Sequence, residues 1–253
     1  MSTTLPTLWG LSVSPWTERA RWALDHHGVR YRYREHTPML GEPGLRWRAR
    51  RRESGRATVP LWIDDRRVLA DSVAIARLAD RSSSNHSLFP AEHDAAIQAG
   101  ADEADRVMNS MRALVVAALL NDPEAQVESL PAQIPRGLRV ALRGMAKTGT
   151  RFLGRKYAAD LDHLDACEQA GREYLASLRA RLGGRDHLFD DRLSFADIVA
   201  AVVINGFAGG DPIRLRDQPA LQRVWTRPAL AEEFADLVGW RDRLYQQRPR
   251  PAR

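Results

Sequence analysis

The sequence predicts a small α/β domain with a mixed sheet, followed by an all-helical domain. Three observations carry this. Residues 8–34 read as strand, helix and strand; residues 58–80 read as two strands joined by a tight Asp64-Asp65 turn and then a helix; and from Pro90 onward strand signals fade while Ala- and Leu-rich helical patterns take over. A helical crossover requires a parallel strand pair and a tight hairpin an antiparallel one, so a βαβ unit followed by ββα makes one mixed sheet. The expected boundaries are 1–81 for the α/β domain, 82–90 for a polar linker, 91–247 for the helical domain and 248–253 for a flexible tail.

Each element has a local reason. Leu8, Trp9, Leu11 and Val13 form a buried first strand that breaks at Ser14-Pro15. Ser14 suits a helix N-cap and Pro15 the first helical position, where a missing N–H costs nothing. Ala20, Ala23, Leu24 and His27 then recur at helical spacing, leaving Glu18, Arg19, Arg21 and Asp25 for the solvent side, and Gly28 closes the helix. Residues 29–34 alternate apolar and charged, as in a half-exposed strand. Residues 36–44 read as loop and 45–53 as a short basic helix. Thr58 to Ile63 is an apolar strand with Pro60 near its start, Arg67 to Leu69 its partner, and Asp71-Ser72 caps a helix running to Asp80.

In the second half, residues 91–120 are helical in pattern, Pro123, Pro131 and Pro135 break 121–137, and 139–158 is a weak basic helix. Residues 162–182 form an amphipathic helix stopped by Gly183-Gly184. At 193–198 a strong start follows, with Ser194 as cap and Asp197 answering it. Residues 228–246 give the last helix. No internal repeat is present.

Composition excludes several classes. Apolar residues make up 44% and charged residues 28% of the 253, the profile of a globular chain. No apolar run is long enough to span a bilayer and no secretory signal is visible, so a cytoplasmic location without membrane partners is expected. The single cysteine, Cys167, sits on the apolar stripe of its helix and reads as a buried structural thiol. No His or Cys spacing fits a metal, and none is expected. A net charge of +6 points to an anionic ligand, but no nucleic-acid-binding signature accompanies it, so no nucleic acid is expected.

The junction at Ser14 carries the chemistry. A hydroxyl there lies at the positive end of a helix, beside free backbone N–H groups, where a negative charge is stabilised. Taken alone, the serine reads as a cap. Four segments change its meaning: S-P-W-T-E-R-A-R-W-A-L at 14–24, T-V-P-L at 58–61, D-S-V-A-I-A-R-L-A-D at 71–80 and L-S-F-A-D-I at 193–198. In this order and spacing, across both domains, the chain resembles the cytosolic glutathione transferases.

That resemblance implies a thioredoxin-like first domain and glutathione as co-substrate. Thr58, Val59 and Pro60 match the family's cis-proline segment, whose backbone pairs with the cysteinyl unit. Asp71 and Ser72 match the acidic-Ser pair that receives the γ-glutamyl end. Ser14 matches the residue that activates the thiol in serine-type classes, with Ser12 and Thr17 as nearby alternatives. Arg56, or another of the cluster at 46–52, would hold the glycyl carboxylate. The Ser194/Asp197 box is structural in the family. Serine rather than cysteine at 14 argues against disulfide exchange, and the absence of a first-strand tyrosine against the tyrosine-type classes.

The implied reaction adds the thiolate to a small hydrophobic or aromatic electrophile, expected near Met108, Met111 and Arg112. Isomerisation, ether cleavage and dehalogenation are chemical alternatives on the same fold, and a non-catalytic interaction module is the alternative of another kind. A homodimer is expected.

Overall fold

The alternation read from the sequence builds a four-stranded sheet. In a computed structural model that describes residues 5–50, 57–131, 134–207, 215 and 217–249, the first elements are β1 (Thr7–Gly10), α1 (Pro15–His26), β2 (Arg32–Glu35), α2 (Glu42–Ala49), β3 (Leu61–Ile63), β4 (Val68–Leu69) and α3 (Ser72–Arg81). Sheet order is β2-β1-β3-β4, with β1 parallel to β2 and both other pairs antiparallel. The mixed thioredoxin-like sheet is thus as expected. Successive side chains point to opposite faces. Leu8 and Trp62 therefore pack with Ala20, Leu24 and Ile75 of α1 and α3, while Trp9 and Leu61 pack with Leu45 and Ala49 of α2.

Two readings of the first helix region need correction. β1 ends at Gly10 rather than Val13, because the chain turns there: the Ser14 N–H donates to Leu11 O at 2.9 Å and the Leu11 N–H to Thr17 Oγ1 at 3.3 Å. Glycine is needed at the bend, since a Cβ on residue 10 would lie 2.5 Å from Thr17 Cγ2. The supposed solvent side of α1 is also largely buried. Glu18 is 3%, Arg19 0% and Asp25 3% exposed. Arg19 faces α3, and Arg248, whose side chain is only 8% exposed, ion-pairs with both Glu18 and Asp25. A charged helix face is buried here because the tail brings the opposite charge to it, as buried ions require.

The C-terminal end of α1 meets a group of imidazoles. His26 Nε2 lies 3.1 Å from His86 O, His27 Nε2 lies 3.1 Å from Asp80 Oδ1, and the two rings stack edge to face at 4.8 Å. Burial holds both histidines below their ordinary value; for His27 the His26 ring adds to this, and Asp80 opposes it. The unfolded chain takes up these protons near pH 6.5, whereas the folded chain resists until lower pH. Stability is therefore complete above that pH and falls as pH drops below it. Thermal unfolding followed across this range should show the midpoint falling on acidification, and His27→Gln should flatten the fall; an unchanged slope would refute the assignment.

The remaining elements are all helical: α4 (Asp94–Asn121), α5 (Pro123–Glu128), α6 (Arg136–Ala141), α7 (Arg143–Lys156), α8 (Leu164–Leu182), α9 (Phe195–Phe207), α10 (Pro219–Trp225), α11 (Pro228–Glu233) and α12 (Ala235–Gln247). The described residues form two compact units, one from 5–101, 187–199 and 246–249 and the other from 102–186 and 200–245. The expected 139–158 helix is two helices, a seven-residue helix starting at Pro219 adds α10, and the last helix divides at Phe234, between α11 and α12. Gly183 closes α8 in the left-handed conformation at φ 55°, as its sequence position foretells. Cys167 is buried and its thiol is pushed up by that burial, consistent with a structural role. Met108 and Met111 are also buried, at 0% and 1% exposure.

Candidate active site

Three hydroxyls surround the turn after β1, and the structure treats them differently. Ser14 is the N-cap of α1 at φ −82°, ψ 125°, half-buried, with Oγ accepting from the Thr17 N–H at a long 3.5 Å. An accepting hydroxyl keeps its own proton to donate. Thr17 is fully buried and its oxygen is held by the Leu11 N–H. Ser12 is half-buried, and its backbone N–H donates to Glu35 Oε1 at 2.8 Å.

A second helix starts beside the first. Asp71 is the exposed N-cap of α3, its Oδ1 accepting from the Ala74 N–H at 2.7 Å. Ser72 is 1% exposed, and its Oγ accepts from Arg19 Nε at 2.7 Å. That bond joins the second turn of α1 to the first residue of α3, so the two positive helix ends flank one region. What Ser72 offers an external anion is its backbone N–H rather than its hydroxyl oxygen. Arg19 is the residue sequence reasoning missed: it sits four positions before Ala23, on the apolar stripe, but its charge assigned it to solvent.

The sheet supplies the third part. Trp9 pairs with Leu61 across β1 and β3, so one step further the register sets Pro60 beside Gly10, at the mouth of the Ser14 turn. The Val59-Pro60 bond is cis. Pro60 is buried, Thr58 and Val59 half-buried, and Val59 packs on the α2 side of the sheet. Arg56 lies outside the described residues. Of the basic cluster around it, Arg48 lines a cleft of about 230 Å³ with Trp9, Glu35, Thr37 and Leu40. Its guanidinium lies 4.2 Å from the Trp9 ring centroid, a cation–π contact that holds the charge at the cleft wall. Glu35 accepts from Tyr33 Oη at 2.8 Å as well as from Ser12, which fixes this carboxylate at the cleft's other edge.

Two clusters lie apart from these groups. Asp197 is fully buried and accepts from the Ser194 N–H, Ser194 Oγ and the Leu188 N–H, each at 2.7 Å. This is the capping box expected at 194–197, and it also fastens the preceding loop. Glu92, His93 and Asp190 bring three donor atoms within 4.8 Å of one another at the surface, but Asp190 is already bonded to His93 Nε2 at 3.2 Å. Their separation in sequence hid this grouping.

Residues 13–82 match the family model of the glutathione S-transferase N-terminal domain, and residues 143–232 that of the glutathione S-transferase C-terminal domain. Among curated protein sequences, none shows significant similarity to the chain. Solved structures are similar in fold. A glutathione S-transferase domain-containing protein of Marinobacter aquaeolei VT8 superposes with a TM-score of 0.60 at 20% identity, covering 94% of this chain and 96% of that one. Rice GST1, solved with glutathione, gives 0.58 at 17% identity, covering 99% and 93%. A beta-etherase of Sphingobium sp. strain SYK-6 gives 0.57 at 19% identity, covering 92% and 100%.

Proposed function

Because the chain belongs to the glutathione S-transferase superfamily, we propose that it binds glutathione at the paired starts of α1 and α3 and transfers its thiol to a small apolar electrophile. The observation that carries this is the Arg19–Ser72 bond, which sets both positive helix ends around one region. The γ-glutamyl carboxylate lies on the N–H groups at the start of α3, and Asp71 receives the ammonium. The Val59 backbone pairs with the cysteinyl unit in strand fashion. Arg48 holds the glycyl carboxylate, alone or with Arg56.

The sulfur then meets Ser14. Its hydroxyl donates to the thiolate, and with the α1 dipole it lowers the thiol's proton affinity, so the proton leaves to solvent at neutral pH. The thiolate attacks an electrophilic carbon, forming the C–S bond as the bond to a leaving group breaks or as a conjugated π bond takes up the electron pair. Holding both reactants together supplies the rest of the acceleration. Ether cleavage begins with the same attack, the leaving group being an aryloxide, so the reading covers that chemistry too. A homodimer is part of the proposal.

Retention on immobilised glutathione and conjugation of a chromogenic aryl halide test it. Arg48→Ala should raise KM for glutathione about tenfold with kcat little changed, since a charged hydrogen bond contributes about 1.5–3 kcal/mol and this one acts on bound and transition states alike. A protein that passes through the column and conjugates nothing would overturn the assignment.

A further inference from the structure

The turn that carries Ser14 is tied to the sheet by a side chain that the proposed reaction does not use. β1 and β2 run parallel with Leu8 opposite Tyr33 and Gly10 opposite Glu35, so the end of β2 lies beside the point where the chain bends toward Ser14. Alternation puts Tyr33 and Glu35 on one face of the sheet. Glycine at position 10 leaves room on that face: a Cβ there would lie 2.9 Å from Tyr33 Cε2 and 3.1 Å from its Oη. The Tyr33 hydroxyl occupies this space and donates to Glu35 Oε2 at 2.8 Å, while Glu35 Oε1 accepts the Ser12 N–H at 2.8 Å. The Tyr33 ring is held in turn by α1, since the Arg21 guanidinium lies 4.6 Å from its centroid.

We propose that, with glutathione bound as inferred above, Glu35 is a positioning residue for Ser14. Two further hydrogen bonds of the turn, Ser14 N–H to Leu11 O and Leu11 N–H to Thr17 Oγ1, are local and fix its shape. The Ser12–Glu35 bond spans 23 residues and fixes where that shape sits against β2. Placement matters because a group that stabilises a reacting atom must be held to within about 0.5 Å of its productive position. Charge gives the carboxylate no role of its own here. A negative group beside the turn opposes formation of a thiolate, whereas two acceptor oxygens meet two fixed donors. Ser12 contributes its backbone N–H to the bond, so Ser12→Ala retains it.

Two variants separate position from charge. Glu35→Ala and Glu35→Gln both remove the negative charge, but glutamine keeps an acceptor for the Ser12 N–H and an N–H for Tyr33 Oη. Relative to Glu35→Gln, Glu35→Ala should lower kcat/KM for conjugation about three- to tenfold, the equivalent of one hydrogen bond, with kcat changed more than KM. The pKa of bound glutathione, read from the ultraviolet absorbance of the thiolate, should be higher in Glu35→Ala by about half a unit to one unit. The Ser12 amide proton should exchange about three- to tenfold faster in Glu35→Ala, with or without glutathione. Glu35 is exposed, so thermal unfolding should shift little in either variant. Tyr33→Phe should reproduce part of the loss and add little to Glu35→Ala. Equal rates and equal thiol titrations in the two variants, or a Ser12 exchange unchanged in Glu35→Ala, would overturn the positioning role and leave the glutathione reading standing. A wild type that is not retained on immobilised glutathione would overturn both.

Discussion

Replacing Ser14 by alanine is expected to lower kcat/KM for glutathione conjugation by about 10- to 100-fold, the kinetic equivalent of losing one charge-assisted hydrogen bond to the thiolate. The mechanism specifies more than the loss. In Ser14→Ala the pKa of bound glutathione should rise, read from the ultraviolet absorbance of the thiolate, and the rate should recover at alkaline pH. Because Ser14 also caps α1, the variant should lose about 1 kcal/mol of stability as well. Ser14→Asp separates the two roles: a carboxylate retains the cap but offers the sulfur no proton, so stability should hold while activity is lost. Ser12→Ala should leave the titration of the thiol unchanged. If Ser12→Ala abolishes the thiolate signal and Ser14→Ala does not, the donor is misassigned.

Asp197→Ala should produce the largest loss of stability, about 3 to 5 kcal/mol by chemical denaturation, because it leaves two buried donors and a half-buried one without an acceptor. The carboxylate has no exposed surface, and its partners come from Ser194 and Leu188 at 2.7 Å. Asp197→Asn keeps a single acceptor and turns an NH₂ group toward a donor, so it should recover only part of the loss. Ser194→Ala should cost less by itself and add little to Asp197→Ala, since the bond it removes is already gone. Additive effects would refute the shared network. Glutathione binding by the folded fraction should be unaffected, which distinguishes this structural box from the Ser14 site.

Much of this architecture was legible in the chain. Apolar period, Pro15 after Ser14, the Asp64-Asp65 turn, Asp71 before α3 and Gly183 after α8 are local signals, because propensity, capping and turn chemistry act within a few residues. They sufficed for the order of elements, the mixed sheet, the capping box at 194–197 and the family resemblance. The ends of elements were less legible. β1 stops at Gly10 because Thr17, seven residues on, holds the Leu11 N–H, and no strand pattern announces that.

What only the tertiary structure decided concerns the charged residues. Glu18, Arg19 and Asp25 read as solvent-facing because a charge without a partner belongs in water. Their partners, Ser72 and Arg248, arrive from 53 to 230 residues away in the chain. The same holds for Arg48, one arginine among several in sequence and, among the described residues, the one that lines the cleft in space. Local physics determined the order and type of the helices and strands. Long-range pairing of ions and hydrogen bonds determined which side chains lie at the candidate glutathione site, because a partner's distance in space is not encoded at any single position.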